Sequence, residues 1–396
     1  MIRPNKSLSV IAIILVLFVG AFPTIDGQEP TELKGIVNSD TTWTKANSPY
    51  SLTGNLAINT GVTLTIAPGV TVNLNHYFIR INGTLIARGA SNDKIFLNAE
   101  ADGYIEFTSL SAGWDSQTGK GSIIEKAVIN CVLHTGGASI MVYDNVVTKG
   151  ISLEGGSPVV SKNFFSILSD DPLSTANAIS ISELYDHPIE NRALIVDNTI
   201  VGSYTIAAVI VGRGSPTLER NIISNSYGYG HTAYGQAGIF IYGDSSPIIK
   251  QNTIKQSANG ISFLEGNSDP TIINNNLEEI SNYNLFLNKG IEATINASSN
   301  WWGTTDSAVI DQKIWDYSDD FDLGKVNYTP FLTQSNPYAV PDENAPTPTA
   351  GTSTSASPTP TPTVPELSWL AIVPLLLFLV SVAVIIRHRK TVNLKQ

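Results

Sequence analysis

Between residues 150 and 280 the chain alternates apolar and polar positions over only three to five residues before glycine, proline or asparagine interrupts it. Four segments share this grammar: residues 150–158, 207–216, 238–247 and 260–270, each ending in proline. In every case an asparagine stands five residues after the proline, at Asn163, Asn221, Asn252 and Asn275. A large apolar residue follows two positions later, at Phe165, Ile223, Ile254 and Leu277. Asp197, Asn198, Thr199 and Ile200 repeat the end of the unit without its proline, and from Asn198 the asparagines step by 23, 31 and 23 residues. The longer step holds a Gly- and Tyr-rich insertion at residues 227–236. A period in the low twenties built from short alternating runs predicts stacked coils. Ile239 and Ile241, or Ile261 and Phe263, then point into the coil, and Ser262 points out to solvent. A helical reading fails, because Gly, Pro and Asn recur too often for a long 3.6-residue apolar pattern to survive.

Residues 64–66, 70–72, 78–81, 84–86 and 94–96 read as strands of the first part of the same stack, and residues 101–149 as less regular coils. The predicted fold is all-β: a right-handed parallel β-helix, a single-stranded solenoid. Each coil pairs with the next and covers its strand edges. The repeated asparagine has a structural role in such a stack, its amide bonding turn backbone in successive coils. Proline suits a strand edge or turn, where no ladder donor is needed.

The two ends read differently. Residues 1–27 carry Arg3 and Lys6 before an apolar run at 8–19 and then a small, turn-prone stretch, as a signal peptide does. Residues 367–386 contain no charge and are long enough to span a bilayer as a helix. Arg387, His388, Arg389 and Lys390 follow, which places the tail 387–396 in the cytoplasm. Residues 336–366 are rich in Pro, Thr, Ser and Ala and read as an extended linker or stalk. The body, residues 28–335, is then an extracellular domain held at the cell membrane by a single pass.

Six of the 23 Lys and Arg residues lie in the two ends, which leaves 17 in the body against all 34 acids, a net charge of about −17. That argues against nucleic acid and anionic lipid as partners of the body. Cys131 is the only cysteine, so neither an intrachain disulfide nor a cysteine-cluster metal site can form.

Leu64-Thr65-Ile66-Ala67-Pro68-Gly69-Val70, followed by residues 81–87, resembles the opening of secreted pectin-lyase-like parallel β-helix proteins. The Asn-x-Ile coils resemble the carbohydrate-binding and sugar-hydrolysis repeat, also found in periplasmic copper-binding β-helix proteins. Asn300-Trp301-Trp302-Gly303 through Phe331 looks like the closing segment of many such surface proteins. The stalk, apolar helix and basic end resemble those of archaeal surface proteins, some of which carry a Pro-Glu-Phe processing signal; here Leu367 stands in place of the Phe. This likeness implies the fold and leaves the activity open.

Lyases and hydrolases of this fold use acids clustered on the outside of a parallel sheet. The fragments of such a site here are Asp170, Asp171 and His231, without the accompanying elements of the polygalacturonase or pectate-lyase patterns. Copper is poorly served by five scattered His and two Met. No cofactor is expected; calcium has one candidate site in the acids Asp316, Asp319, Asp320 and Asp322. Trp301, Trp302 and Trp315 read as a plug for the open end of the core. Tyr227, Tyr229, Tyr234 and Tyr242, with Tyr204, are candidate sugar-stacking rings around the insertion. Asn82, Asn296 and Asn327 head N-glycosylation sequons. Together these features predict a non-catalytic surface protein of adhesion, envelope structure or glycan binding, with a polysaccharide lyase or glycoside hydrolase as the alternative.

Overall fold

The computed structural model describes residues 29–100, 102–167, 177–183, 189–202, 206–224 and 236–345. The chain divides into two units, 1–351 and 352–396, and the second lies outside the described residues. So do residues 1–27, read above as a signal, the apolar segment 367–386 and the basic tail; among the described residues no helix is long and apolar enough to cross a membrane.

Every sheet pairing between named strands is parallel, and the strands stack into three faces of one solenoid. One face runs from Phe78–Ile81 through Ala237–Tyr242 to Ile314–Trp315. A second runs from Thr71–Asn73 through Phe164–Ile167 to Asn276–Glu278. The nine-residue strand Tyr50–Ile58 pairs with the start of both and joins them into a 21-stranded sheet. The third face is a separate ten-stranded sheet from Thr41–Trp43 to Thr271–Ile273. The repeat grammar is one turn of this stack: strand, glycine turn, proline, strand, asparagine, strand. The strands expected between residues 64 and 96 are present within a residue or two.

Alternation decides what is inside. Ile79, Ile105, Leu133, Ile151, Ile179, Val209, Ile239, Ile261, Leu285 and Ile314 occupy one register position in successive coils and are all buried. Parallel in-register stacking at ~4.8 Å lays these branched side chains on one another and closes the core along its length. Each proline of the repeat stands one residue before a strand of the third face. The carbonyls of Pro158, Pro216 and Pro247 accept from the following coil, at Leu194, Ile248 and Thr271, all at 2.9 Å. A residue in that place contributes only an acceptor, so the missing N–H costs nothing.

The asparagine ladder holds the corner after the third face, and it is longer than the repeat suggested. Asn145, Asn163, Asn198, Asn221, Asn252, Asn275 and Asn300 form one buried column. The residue before each of them, from Asp144 to Ser299, has a positive φ of 50–61°. That left-handed conformation is unfavourable for most side chains; here it turns the chain so that the asparagine amide faces its neighbours in the stack.

Two readings need correction. Ser262 points outward, between Phe240 and Phe286 in register, but is fully buried rather than solvated. The outer face carries its own small apolar cluster here, Ala207, Ala237 and Phe240 with Ile210 and Leu264 packed on it. Residues 336–345, read as the start of the linker, are docked on the coils. The Asn336 backbone N–H donates to the Asn276 side chain at 2.7 Å, and its Nδ2 donates to the Asn274 carbonyl at 2.7 Å. The Thr253 hydroxyl donates to Ala339 O, the Asp342 N–H to Asp197 Oδ1, and Lys162 Nζ to the carbonyls of Glu343 and Ala345. The contacts visit the coils in reverse order, so this strap runs back along the stack from its C-terminal end. Composition could not reveal it, because a strap held through its backbone needs no apolar pattern.

Candidate functional site

At the C-terminal end the coils give way to a cap. Ile291, Ile295, Trp302, Ile310, Leu323 and Val326 carry the core through it. Trp302 is buried in the core and meets Tyr328 edge-on, as a plug requires, whereas Trp315, in register with Phe286 and Ser262, packs half-buried on the outer face beside Phe286 and does not plug the core. Trp301 is half-buried and extends the ladder through its backbone, donating to Asn275 O at 2.8 Å.

The loop between the strands Ile314–Trp315 and Val326–Asn327 is folded by its acids. The buried Asp316 carboxylate accepts from the Ser318 N–H at 2.8 Å and the Val326 N–H at 2.9 Å. Asp319 accepts from the Asp316 N–H, and Asp320 from the Asp322 N–H. Three of the four candidate calcium acids, Asp316, Asp319 and Asp320, thus spend oxygens on turn backbone, and no group of three or more metal-type ligands converges among the described residues. The Tyr317 N–H closes the loop on Gly324 O at 2.9 Å. Gly324 packs so tightly on the turn before the strand Ile295–Asn296 that a Cβ would sit 2.0 Å from Ala293 O, so glycine alone fits.

This loop forms one wall of an open groove of about 830 Å³. Leu323 is its buried floor; Lys289, Glu292, Thr294, Asp322 and Lys325 are its exposed polar lining. Tyr317 and Phe321 stand over it, 49 % and 79 % exposed, with ring centroids 5.6 Å apart at 64°. An edge-on pair leaves ring surface free. The pair places exposed aromatic surface beside a polar cleft, a combination that suits a binding site. Aromatic surface with two ammonium and two carboxylate groups around it offers stacking for C–H faces and hydrogen bonds for hydroxyls. Among the groove residues, sequence reasoning had singled out only Asp322, and for another role. The signal for the rest was the pair of aromatics spaced four apart in an otherwise polar loop.

A second grouping lies near the other end of the stack, on the outer side of the first face. Arg80, Glu106, His134 and Ser152 share one register column. Arg80 Nε donates to Glu106 at 2.8 Å, and Glu154 accepts from Ser152 Oγ at 2.8 Å and lies 3.1 Å from His134 Nδ1. The hydrogen bond with His134 holds the Glu154 carboxyl below its usual range, against the opposing effect of burial. Phe78 and Tyr104 also belong here, but their rings stack on each other at 5.2 Å and Arg80 lies over Phe78. One coil spacing is also a stacking distance, so an outward aromatic column covers its own faces.

Of the other sequence candidates, Asp170, Asp171, His231, Tyr204, Tyr227, Tyr229 and Tyr234 lie outside the described residues. Tyr242 ends the strand Ala237–Tyr242, is 37 % exposed and leans on Phe240. Asn82 is half-buried and accepts from the Thr108 hydroxyl at 2.9 Å; Asn296 and Asn327 are exposed.

A family model described as "Right handed beta helix region" matches residues 189–302. That segment of the solenoid is a right-handed parallel β-helix. The match stops before Tyr317 and Phe321. No curated protein matches this chain, and no solved structure does. The family likeness therefore describes the coils and carries no activity.

Proposed function

We propose that this chain is an exported β-helix protein, anchored by its C-terminal apolar segment, whose body binds glycans through the groove at its C-terminal end without cleaving them. The observation that carries this reading is the exposed Tyr317–Phe321 pair over a polar cleft. Sugars present apolar C–H faces ringed by hydroxyls, and this lining matches both. A body charge of about −17 disfavours adhesion to anionic surfaces in general, whereas Lys289 and Lys325 give the groove a local balance of charge.

Catalysis has less support. Glu292 and Asp322 are exposed, outside the water-excluded setting that acid–base chemistry uses. In the other grouping Glu106 is engaged by Arg80, and Glu154 is held in its ionised form, whereas a glycosidase acid must be protonated at working pH.

A glycan array probed with the full chain, followed by Phe321→Ala and Tyr317→Ala, tests the proposal. Loss of each ring is expected to weaken binding about tenfold or more, as removal of ~1.4 kcal/mol or more would, with an unchanged circular dichroism spectrum because both rings are exposed. Binding unaffected by both substitutions removes the groove. Release of reducing or unsaturated oligosaccharides by the wild type, abolished by Glu106→Gln or Glu154→Gln, establishes the enzyme reading instead.

A further inference from the structure

Two of the three sequons in the body, separated by 31 residues in sequence, come together beside the groove. The strand Ile295–Asn296 pairs in parallel with Val326–Asn327, and Asn296 stands directly opposite Asn327. The Ile295 N–H donates to Lys325 O at 2.9 Å and the Ala297 N–H to Asn327 O at 2.8 Å, which fixes the register. Ile295 and Val326 are 1 % and 3 % exposed and point into the cap. Alternation then puts both asparagines outward on the same face, and both are exposed. Their side chains start about one strand spacing apart, ~4.8 Å.

Each heads a complete acceptor sequence, Asn296-Ala297-Ser298 and Asn327-Tyr328-Thr329. Two residues back on the same face stand Thr294 and Lys325, both part of the groove lining. That is ~7 Å along an extended strand, within reach of the first sugars of any chain attached at either asparagine.

We infer that these two sequons make a single N-glycan attachment point, which carries one glycan at a time, and that the attached glycan screens the groove. A sugar ring with its N-acetyl arm is wider than one strand spacing. Two such rings, joined to side chains that start from directly opposite residues on one face, would need the same space. The strand pairing cannot spread to admit both, because Ile295 and Val326 are held in the core. The inference rests on the exported reading above; it does not depend on what the groove binds.

The test uses the full chain made in a host that N-glycosylates its secreted proteins. Asn5→Gln and Asn82→Gln remove the other acceptor sequences. Intact-mass measurement is expected to find one glycan per chain, and one still on each of the further variants Asn296→Gln and Asn327→Gln. Two glycans on one chain overturn single occupancy, and none overturns the attachment point. Hydroxyl-radical oxidation of Tyr317 and Phe321 reads the screening without any ligand. The rate is expected to rise severalfold when the glycan is removed enzymatically, and equal rates overturn the screening. If the glycan array finds no ligand, the binding proposal falls while these outcomes remain decisive.

Discussion

The Asn252 amide oxygen accepts two hydrogen bonds from Asn221, one from its backbone N–H and one from its Nδ2, both at 2.9 Å. Asn252 Nδ2 in turn donates to Leu218 O in the coil before and to Asn275 Oδ1 in the coil after. Each ladder amide thus serves three coils, and its loss strands donors in a place closed to water. Asn252→Ala is expected to destabilise the fold by roughly 3–5 kcal/mol, at 1–3 kcal/mol for each buried group left unpaired. Asn98→Ala, in the half-buried outer ladder with Asn73 and Asn130, should cost about 1 kcal/mol or less. Denaturant titration of the two variants checks the contrast, and equal midpoints would contradict it.

Ile241 is fully buried and stacked between Val211 and Phe263. Ile241→Asp is expected to lower stability by several kcal/mol, since it would set a carboxylate between the apolar Val211 and Phe263. Thr271→Asp, at an exposed site, is the matched control. Ser262 does not serve as one, because its hydroxyl is buried. The melting temperatures of the two variants decide the register.

The strap depends on Asp197, whose side chain is 1 % exposed and forms a two-pronged pair with Arg220, at 2.8 and 3.1 Å. The same carboxylate receives the Asp342 N–H at 2.9 Å. Asp197→Ala leaves Arg220 half-buried without this partner and the strap without its hold. Faster hydrogen exchange at residues 336–345 and new proteolytic cleavage there are the expected outcomes. Protection equal to wild type would mean that the strap does not rely on this contact.

Glu154 supplies a pH dependence. Hydrogen bonding with His134 keeps its folded-state pKa below the usual 4.5. A carboxylate depressed in this way contributes stability that is complete above the unfolded value and is lost as pH falls through the folded one. Stability is therefore expected to decline below about pH 4.5, and Glu154→Gln should flatten that limb while leaving neutral pH less affected. Urea midpoints between pH 3 and 7 measure it; an unchanged acid limb in the variant would rule the pair out.

Cys131 is fully buried and burial pushes its thiol up to about 12. It should resist iodoacetamide at neutral pH in the folded protein and react once the coils open. Labelling at the rate of free cysteine in the native state would refute its placement in the core.

Removing residues 367–396 should release the body from membranes into the soluble fraction. Sedimentation with membranes in high salt would show that the apolar segment is not the anchor.

The sequence by itself determined the solenoid. Its period, its alternation at Ile239 and Ile241, and its recurring proline and asparagine are local features, and a stack repeats local features without further instruction. The ladder was legible where the proline marked it, at Asn163, Asn221, Asn252 and Asn275, and at Asn198, where the end of the unit recurs without its proline. At Asn145 and Asn300 no such proline precedes, and only the stacking shows that they belong. The groove, the strap and the paired sequons were decided by tertiary structure alone. Tyr317 and Phe321 became a site because Asp316 folds their loop over a cleft floored by Leu323. Residues 336–345 became a strap because Asn276, Thr253, Asp197 and Lys162 present bonding groups along the coils they cross. Asn296 meets Asn327 through a parallel pairing that closes over the cap. In each case the holding bonds end on backbone groups, and a bond to a backbone group leaves no pattern in a sequence.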